Sequence, residues 1–144
     1  MSTEQNKSMV YRWVEAAWNH GDFSSSSQIY PAAYLLHDTS APQPFQGPMG
    51  LRGFISAFRG AMPDLHMSIE QIVAEGDYVA WRFRVTGTQT GPLNGIPASG
   101  RKVDVTGEVF SRFSDGQWVE DYSNADQLTL LIQIGVIPAP NAAG

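Results

Sequence analysis

Between residues 65 and 125 the chain keeps returning to a period of two, and turn residues stand at each break. Leu65, Met67 and Ile69 alternate with His66, Ser68 and Glu70. Gly76-Asp77 interrupts, and residues 78–88 alternate again, Val79, Trp81, Phe83 and Val85 against Ala80, Arg82, Arg84 and Thr86. The loop G-P-L-N-G-I-P-A-S-G occupies residues 91–100, and a further long strand spans 101–114. Asp115-Gly116 suits the left-handed dihedrals of a tight hairpin. Residues 117–125 then form the last strand, Trp118, Glu120 and Tyr122 alternating with Val119, Asp121 and Ser123. Successive strand side chains point to opposite faces. Such a run dictates a sheet with one apolar face, and that face needs a cover.

The cover comes from helical patterns. In residues 4–19, Met9, Val10, Trp13, Val14, Ala17 and Trp18 fall on one stripe, with Thr3 as the expected N-cap and Gly21 just past the end. Residues 22–30 read as a short second helix or turn, because the serines at 24–27 compete for the backbone. Residues 34–38 read as a short strand, and 39–48, with Pro42, Pro44 and Pro48, as a loop. A third helix spans 49–62 with Leu51, Phe54, Ile55, Phe58 and Met62 on one face, and Pro63-Asp64 breaks it. Asp126 opens a closing helix bearing Leu128, Leu131, Ile132 and Ile134, and Gly135 caps it.

Helices first, then long strands, then a small helix is an α+β order. The expected fold is a cone-shaped barrel: a curved antiparallel sheet with three helices from the N-terminal half and a short C-terminal helix. Long strands bend, and Gly87 and Gly107 are the expected places. The first and third helices should close one end of the hollow. With no repeat, linker or boundary, one domain is expected over residues 1–144, with an ordered core at about 4–137 and a mobile tail P-A-P-N-A-A-G.

Composition narrows the function. The net charge is −5 and the nine Lys and Arg are scattered, so no basic footprint for nucleic acid is present. No apolar run approaches the ~20 residues of a membrane span. The start M-S-T-E-Q-N-K lacks a basic region followed by an apolar one, so a cytoplasmic protein is expected. With no cysteine there is no thiolate ligand or Cys nucleophile, and three dispersed histidines offer no metal spacing. No metal and no cofactor are expected. Four Trp, five Tyr and seven Phe can fill a core and also line a site for a flat apolar small molecule.

Six local patterns then coincide: P-D-L at 63–65, G-D-Y-V-A at 76–80, G-T-Q-T-G at 87–91, G-I-P-A-S-G-R at 95–101, D-G-Q-W-V-E at 115–120 and D-Q-L-T-L-L-I-Q-I-G at 126–135. In this order the chain resembles the SnoaL-like polyketide cyclase family of the nuclear-transport-factor-two-like superfamily, from about residue 11 to 135. The resemblance implies a cone-shaped α+β barrel, commonly a homodimer packed through the sheet's outer face. It implies ring closure of polyketides by intramolecular aldol condensation, without cofactor or metal. An Asp on the last strand acts there as general acid/base, with a His on the neighbouring strand. Aligned on the Asp115-Gly116 turn, those two positions are Ser123 and Val109 here. Relatives of the same shape include hydroxylases, dehydratases, isomerases and epoxide hydrolases. The epoxide hydrolases need an Asp-Arg-Asp set whose first strand reads Arg82-Phe83-Arg84 in this chain.

Asp121 shares a face with Ser123 and becomes the candidate proton carrier. A carboxylate among aromatic rings has its pKa raised by desolvation, whereas one on a solvated rim does not. His37, beside Asp38, is a candidate proton shuttle, and Ser123 with a water is another. Trp18, Tyr34, Trp81, Gln89, Val109 and Asp126 are the expected substrate-binding residues. Gln89 stands where many relatives have His, and Asp126 can also cap the closing helix. Arg82, Arg84, Glu108 and Arg112 alternate onto the other face, as cross-strand charge pairs. The expected function is a cofactor-independent enzyme that abstracts a proton from a carbonyl-bearing polyketide-like or other apolar molecule, leading to aldol-type cyclisation or isomerisation. A non-catalytic small-molecule binding module and a hydroxylase-like relative are the alternatives.

Overall fold

The computed structural model describes residues 2–140; the last four residues of the expected mobile tail, 141–144, lie outside them. Helix α1 spans Thr3–Trp13 and continues through a π-helical segment, Val14–Asn19. Its N-cap is Ser2 rather than Thr3. The Ser2 hydroxyl accepts from the Gln5 N–H at 3.1 Å, and Gln5 Oε1 accepts from the Ser2 N–H at 2.8 Å. This reciprocal box satisfies two backbone N–H groups at the start of the helix. Gly21, at φ +66°, then lets the chain turn back, as its position foretells.

Helix α2 is a single turn, Ser26–Ile29, and strand β1 follows at Leu35–Asp38. The three-proline stretch is not all loop. It contains a two-residue strand β2, Phe45–Gln46, and the start of helix α3, Gly47–Ala61. Pro48 sits in the first turn of α3, where its missing N–H costs nothing. Strands β3 (His66–Glu75), β4 (Tyr78–Thr88), β5 (Lys102–Ser114) and β6 (Gln117–Ala125) complete the sheet. Helix α4, Gln127–Gln133, closes the chain with Asp126 as N-cap.

The six strands lie in the order β2-β1-β6-β5-β4-β3. β3 to β6 form an antiparallel meander, but β1 runs parallel to β6. The sheet is therefore mixed, not wholly antiparallel. No hairpin links β1 to β6, so no tight turn constrains their directions. The curved sheet is not closed into a barrel; β2 and β3 are its edges.

Neither glycine carries a bulge. The β4–β5 ladder runs unbroken past both Gly87 and Gly107. The register shifts lie between Ile69 and Gln71 on β3, and opposite Arg112/Phe113 on β6. Gly107 serves a close approach instead: a Cβ there would lie 2.4 Å from Phe83 Cζ and 2.8 Å from Ala125 Cα.

The concave face carries Val79, Trp81, Phe83 and Val85 from β4, with Val103, Val105 and Val109 from β5, all buried. Val10, Trp13 and Ala17 of the first helix, and Leu51 and Ile55 of α3, cover them. The convex face carries the expected ion pairs: Arg82 with Glu108 at 2.7 Å, Arg84 with Asp104 and Arg112 with Glu120 at 3.3 Å. Among the described residues no helix is long and apolar enough to cross a membrane.

Candidate functional site

The site begins with the irregularity in β6. Trp118 and Asp121 are three positions apart, so strict alternation would put them on opposite faces. In the ladder, Arg112 faces Glu120 and Phe113 faces Trp118, leaving Val119 as the extra residue of a bulge. Both Trp118 and Asp121 then turn inward, at 1% and 4% exposure.

Asp121 is held by three donors. The Trp118 indole Nε1–H donates to Oδ1 at 2.7 Å, and the Ser111 hydroxyl, on the facing rung of β5, donates to the same oxygen at 2.5 Å. The Tyr34 hydroxyl donates to Oδ2 at 2.5 Å. Trp81 extends the network, its Nε1–H donating to Ser111 Oγ at 3.0 Å. Burial pushes the Asp121 carboxyl up to about 6; the bonds from Ser111, Tyr34 and Trp118 oppose that rise, and nearby Glu120 adds to it. The result is a group that changes charge just below neutrality.

Asp121 lines a cavity between the helices and the concave face of the sheet. All four tryptophans of the chain line it as well. Val109 and Ser123, directly opposed across β5 and β6, form the next inward rung along from Ser111 and Asp121. The remaining polar lining is Asp38, Asp126, Gln127 and Tyr30; no Lys, Arg or His contributes among the described residues.

Of the residues singled out in the sequence, Asp121, Ser123, Trp18, Trp81, Val109 and Asp126 meet at this cavity. Asp126 is exposed and also caps α4, its carboxyl held low by the Thr129 hydroxyl and N–H.

Three others are placed elsewhere. His37 is on the convex face, because alternation along β1 sends Leu36 and Asp38 inward. Its ring stacks on Tyr122 at 4.4 Å, and its Nε2 lies 2.9 Å from Glu120 Oε2. The sheet separates it from Asp121, so it cannot shuttle that proton. Gln89 is fully buried but pins the 91–100 loop, with Nε2 donating to the Pro97 carbonyl at 3.2 Å and Oε1 accepting from the Ser99 N–H at 3.1 Å. Strand β4 ends at Thr88, so parity with Trp81 does not extend to it. Tyr34 stands behind the carboxylate as a donor and does not line the cavity.

Sequence reasoning missed Ser111, Tyr30, Trp118 and Asp38. Ser111 shares a face with Val109, two residues away, which is a signal that could have found it. Nothing in the sequence announces the bulge that brings in Trp118. Among the described residues, no three His, Asp or Glu side chains gather as a metal would need.

A model of the SnoaL-like polyketide cyclase family matches residues 8–134. A candidate SnoaL-like polyketide cyclase from Jannaschia sp. CCS1 is 28% identical, with 94% of this chain and 95% of that one covered and a TM-score of 0.85. AclR, a candidate hydroxylase from Streptomyces galilaeus, is 26% identical over 99% of this chain and 88% of its own, with a TM-score of 0.83. IdmH, a candidate polyketide cyclase from Streptomyces antibioticus, is 28% identical over 92% of this chain and 99% of its own, with a TM-score of 0.77. No curated protein matches the chain.

Proposed function

The chain belongs to the SnoaL-like polyketide cyclase family, and from that footing we propose that it is a cofactor-independent enzyme acting on an apolar, carbonyl-bearing small molecule by proton abstraction. One observation carries this reading. Asp121 is a buried carboxyl facing a cavity, with its pKa raised to about 6, one rung from the positions where the cyclases carry their acid/base pair. A base poised near working pH balances the fraction in the right state against proton affinity. Asp121 takes the proton from the carbon beside the carbonyl. The C–H electrons form the enolate double bond, and the carbonyl π pair moves to oxygen. The enolate carbon then attacks a second carbonyl of the same molecule, whose oxygen takes up the proton, or the proton returns to a different carbon. Ser123, half-buried at the cavity wall, holds a water or a substrate hydroxyl near this centre.

The test uses acetophenone in deuterated water, with α-proton exchange followed by NMR. Exchange should rise with pH and level off above about 6, and Asp121→Asn should lower it by ~10²–10⁴. An unchanged rate in Asp121→Asn would sink the proposal.

A second reading, a binding module without chemistry, is favoured by the three hydrogen bonds Asp121 already holds. Ligand binding without exchange would select it. A hydroxylase, suggested by the likeness to AclR, would instead consume oxygen with its substrate.

The partner surface is also part of the proposal. Val73, Tyr78, Phe110 and Tyr122 are exposed apolar groups on the convex face, bordered by its ion pairs. A second copy of the chain covering this face makes a homodimer. Light scattering should give twice the chain mass, falling to one chain in Phe110→Asp; a wild-type monomer at micromolar concentration contradicts it.

A further inference from the structure

One polar group at the cavity stands without a partner. Tyr30, the residue after α2, is 1% exposed and lines the cavity with Asp121. Its hydroxyl has no hydrogen-bond partner among the described residues. Its neighbour Tyr34, with ring centroids 4.6 Å apart, donates to Asp121 instead. A buried hydroxyl left unbonded is costly, and native proteins rarely keep one without use.

The ring has little freedom. Trp13 packs on it at 5.0 Å and Trp118 at 5.1 Å, so the core holds the ring in place. Burial, and then the charge of Asp121, push the phenol well above its ordinary range, so it stays protonated and able to donate. The indole N–H groups of Trp81 and Trp118 are already spent on Ser111 and Asp121. The carboxyl groups of Asp38, Asp121 and Asp126 offer acceptors, and among the described residues no cation lines the cavity to offset them.

We infer that Tyr30 donates its hydroxyl hydrogen to the substrate's carbonyl oxygen and holds the enolate oxygen that forms when Asp121 removes the neighbouring proton. This rests on the reading of Asp121 as the base. The phenol keeps its proton throughout: the α-proton goes to Asp121, and the negative charge goes to the oxygen facing Tyr30. Donors aimed at developing charge in a water-poor site are among the strongest catalytic contributions. The lining also sets the substrate class. A neutral carbonyl compound suits a free phenol among carboxylates, whereas a substrate with a free carboxylate would be repelled.

Acetophenone and ethylbenzene test this, because they share a shape and differ in the carbonyl. All four tryptophans line the cavity, so fluorescence reports binding of either. The wild type should bind acetophenone about tenfold more tightly than ethylbenzene, the ratio one good hydrogen bond gives. Tyr30→Phe should erase that preference, leave ethylbenzene affinity unchanged, slow α-proton exchange and raise Tm. Asp121→Asn should lose exchange while keeping the preference. If Tyr30→Phe keeps the preference, or the wild type shows none, the assignment of Tyr30 is overturned. A fall in Tm of several degrees would show the hydroxyl bonded within the protein and overturn it too. If exchange survives Asp121→Asn, the base assignment fails, and the binding ratio still judges Tyr30.

Discussion

Glu120 and Asp121 are neighbouring carboxyls on one strand, and they face opposite sides of one sheet. Glu120 looks outward, with His37 Nε2 at 2.9 Å and Arg112 at 3.3 Å. Those partners, His37 first, hold its carboxyl below the usual range. Asp121 looks inward, meets only neutral donors and has its carboxyl pushed up to about 6. The same functional group thus shifts in opposite directions within one residue of chain. The face decides the sign, because the convex side supplies cations and water while the concave side removes both.

The strongest way to break this contrast is to truncate Trp118. Trp118→Ala removes a ring that is 1% exposed and one of the three donors that hold Asp121. The expected loss is ~3–5 kcal/mol of stability in urea melts, with exchange activity lowered as well. A variant of wild-type stability would mean that Trp118 does not organise the site.

The pH dependence of folding separates the two carboxyls next. Asp121 titrates at about 6 in the folded chain against an ordinary 3.8 when unfolded, so between these values the folded chain binds more protons than the unfolded one. Stability must therefore fall as pH rises from about 4 to 6, by about 3 kcal/mol in all from this group. Glu120 has the opposite sign. Its contribution is complete above its ordinary value of 4.5 and is lost as pH falls through its lower folded value. Asp121→Asn should remove the downward slope between pH 4 and 6; a slope unchanged in that variant contradicts the burial argument.

The smallest effect belongs to His37. Its pair with Glu120 is partly solvated, and such pairs contribute ~0–1 kcal/mol. His37→Ala should lower stability by no more than that and leave α-proton exchange within about twofold. A large loss of exchange would place His37 in the chemistry despite the intervening sheet.

Much of the frame was legible in the sequence. The period of two marked β4 and β6 with the bounds the structure has, and helical stripes marked the first helix, α3 and α4. What escaped was anything set by a remote partner. β2 is two residues long and owes its pairing to β1, which no local pattern records. The parallel β1–β6 pair joins segments some eighty residues apart. Counting back from the Asp115-Gly116 turn would pair Asp121 with Phe110; the bulge shifts it to Ser111, the residue that completes the network. Asp121 itself was readable, because its parity with Ser123 lies beyond the bulge and is untouched by it. His37 was not, because a short strand reveals which residues alternate but not which set faces the core.

The central claim is that the inward carboxyl, and not its outward neighbour, moves the substrate's proton. Its most direct test is α-proton exchange of acetophenone in Asp121→Asn beside Glu120→Gln at pH 7. The account predicts a loss of ~10²–10⁴ for Asp121→Asn and a change within about threefold for Glu120→Gln. Equal losses in both, or a loss confined to Glu120→Gln, would contradict it.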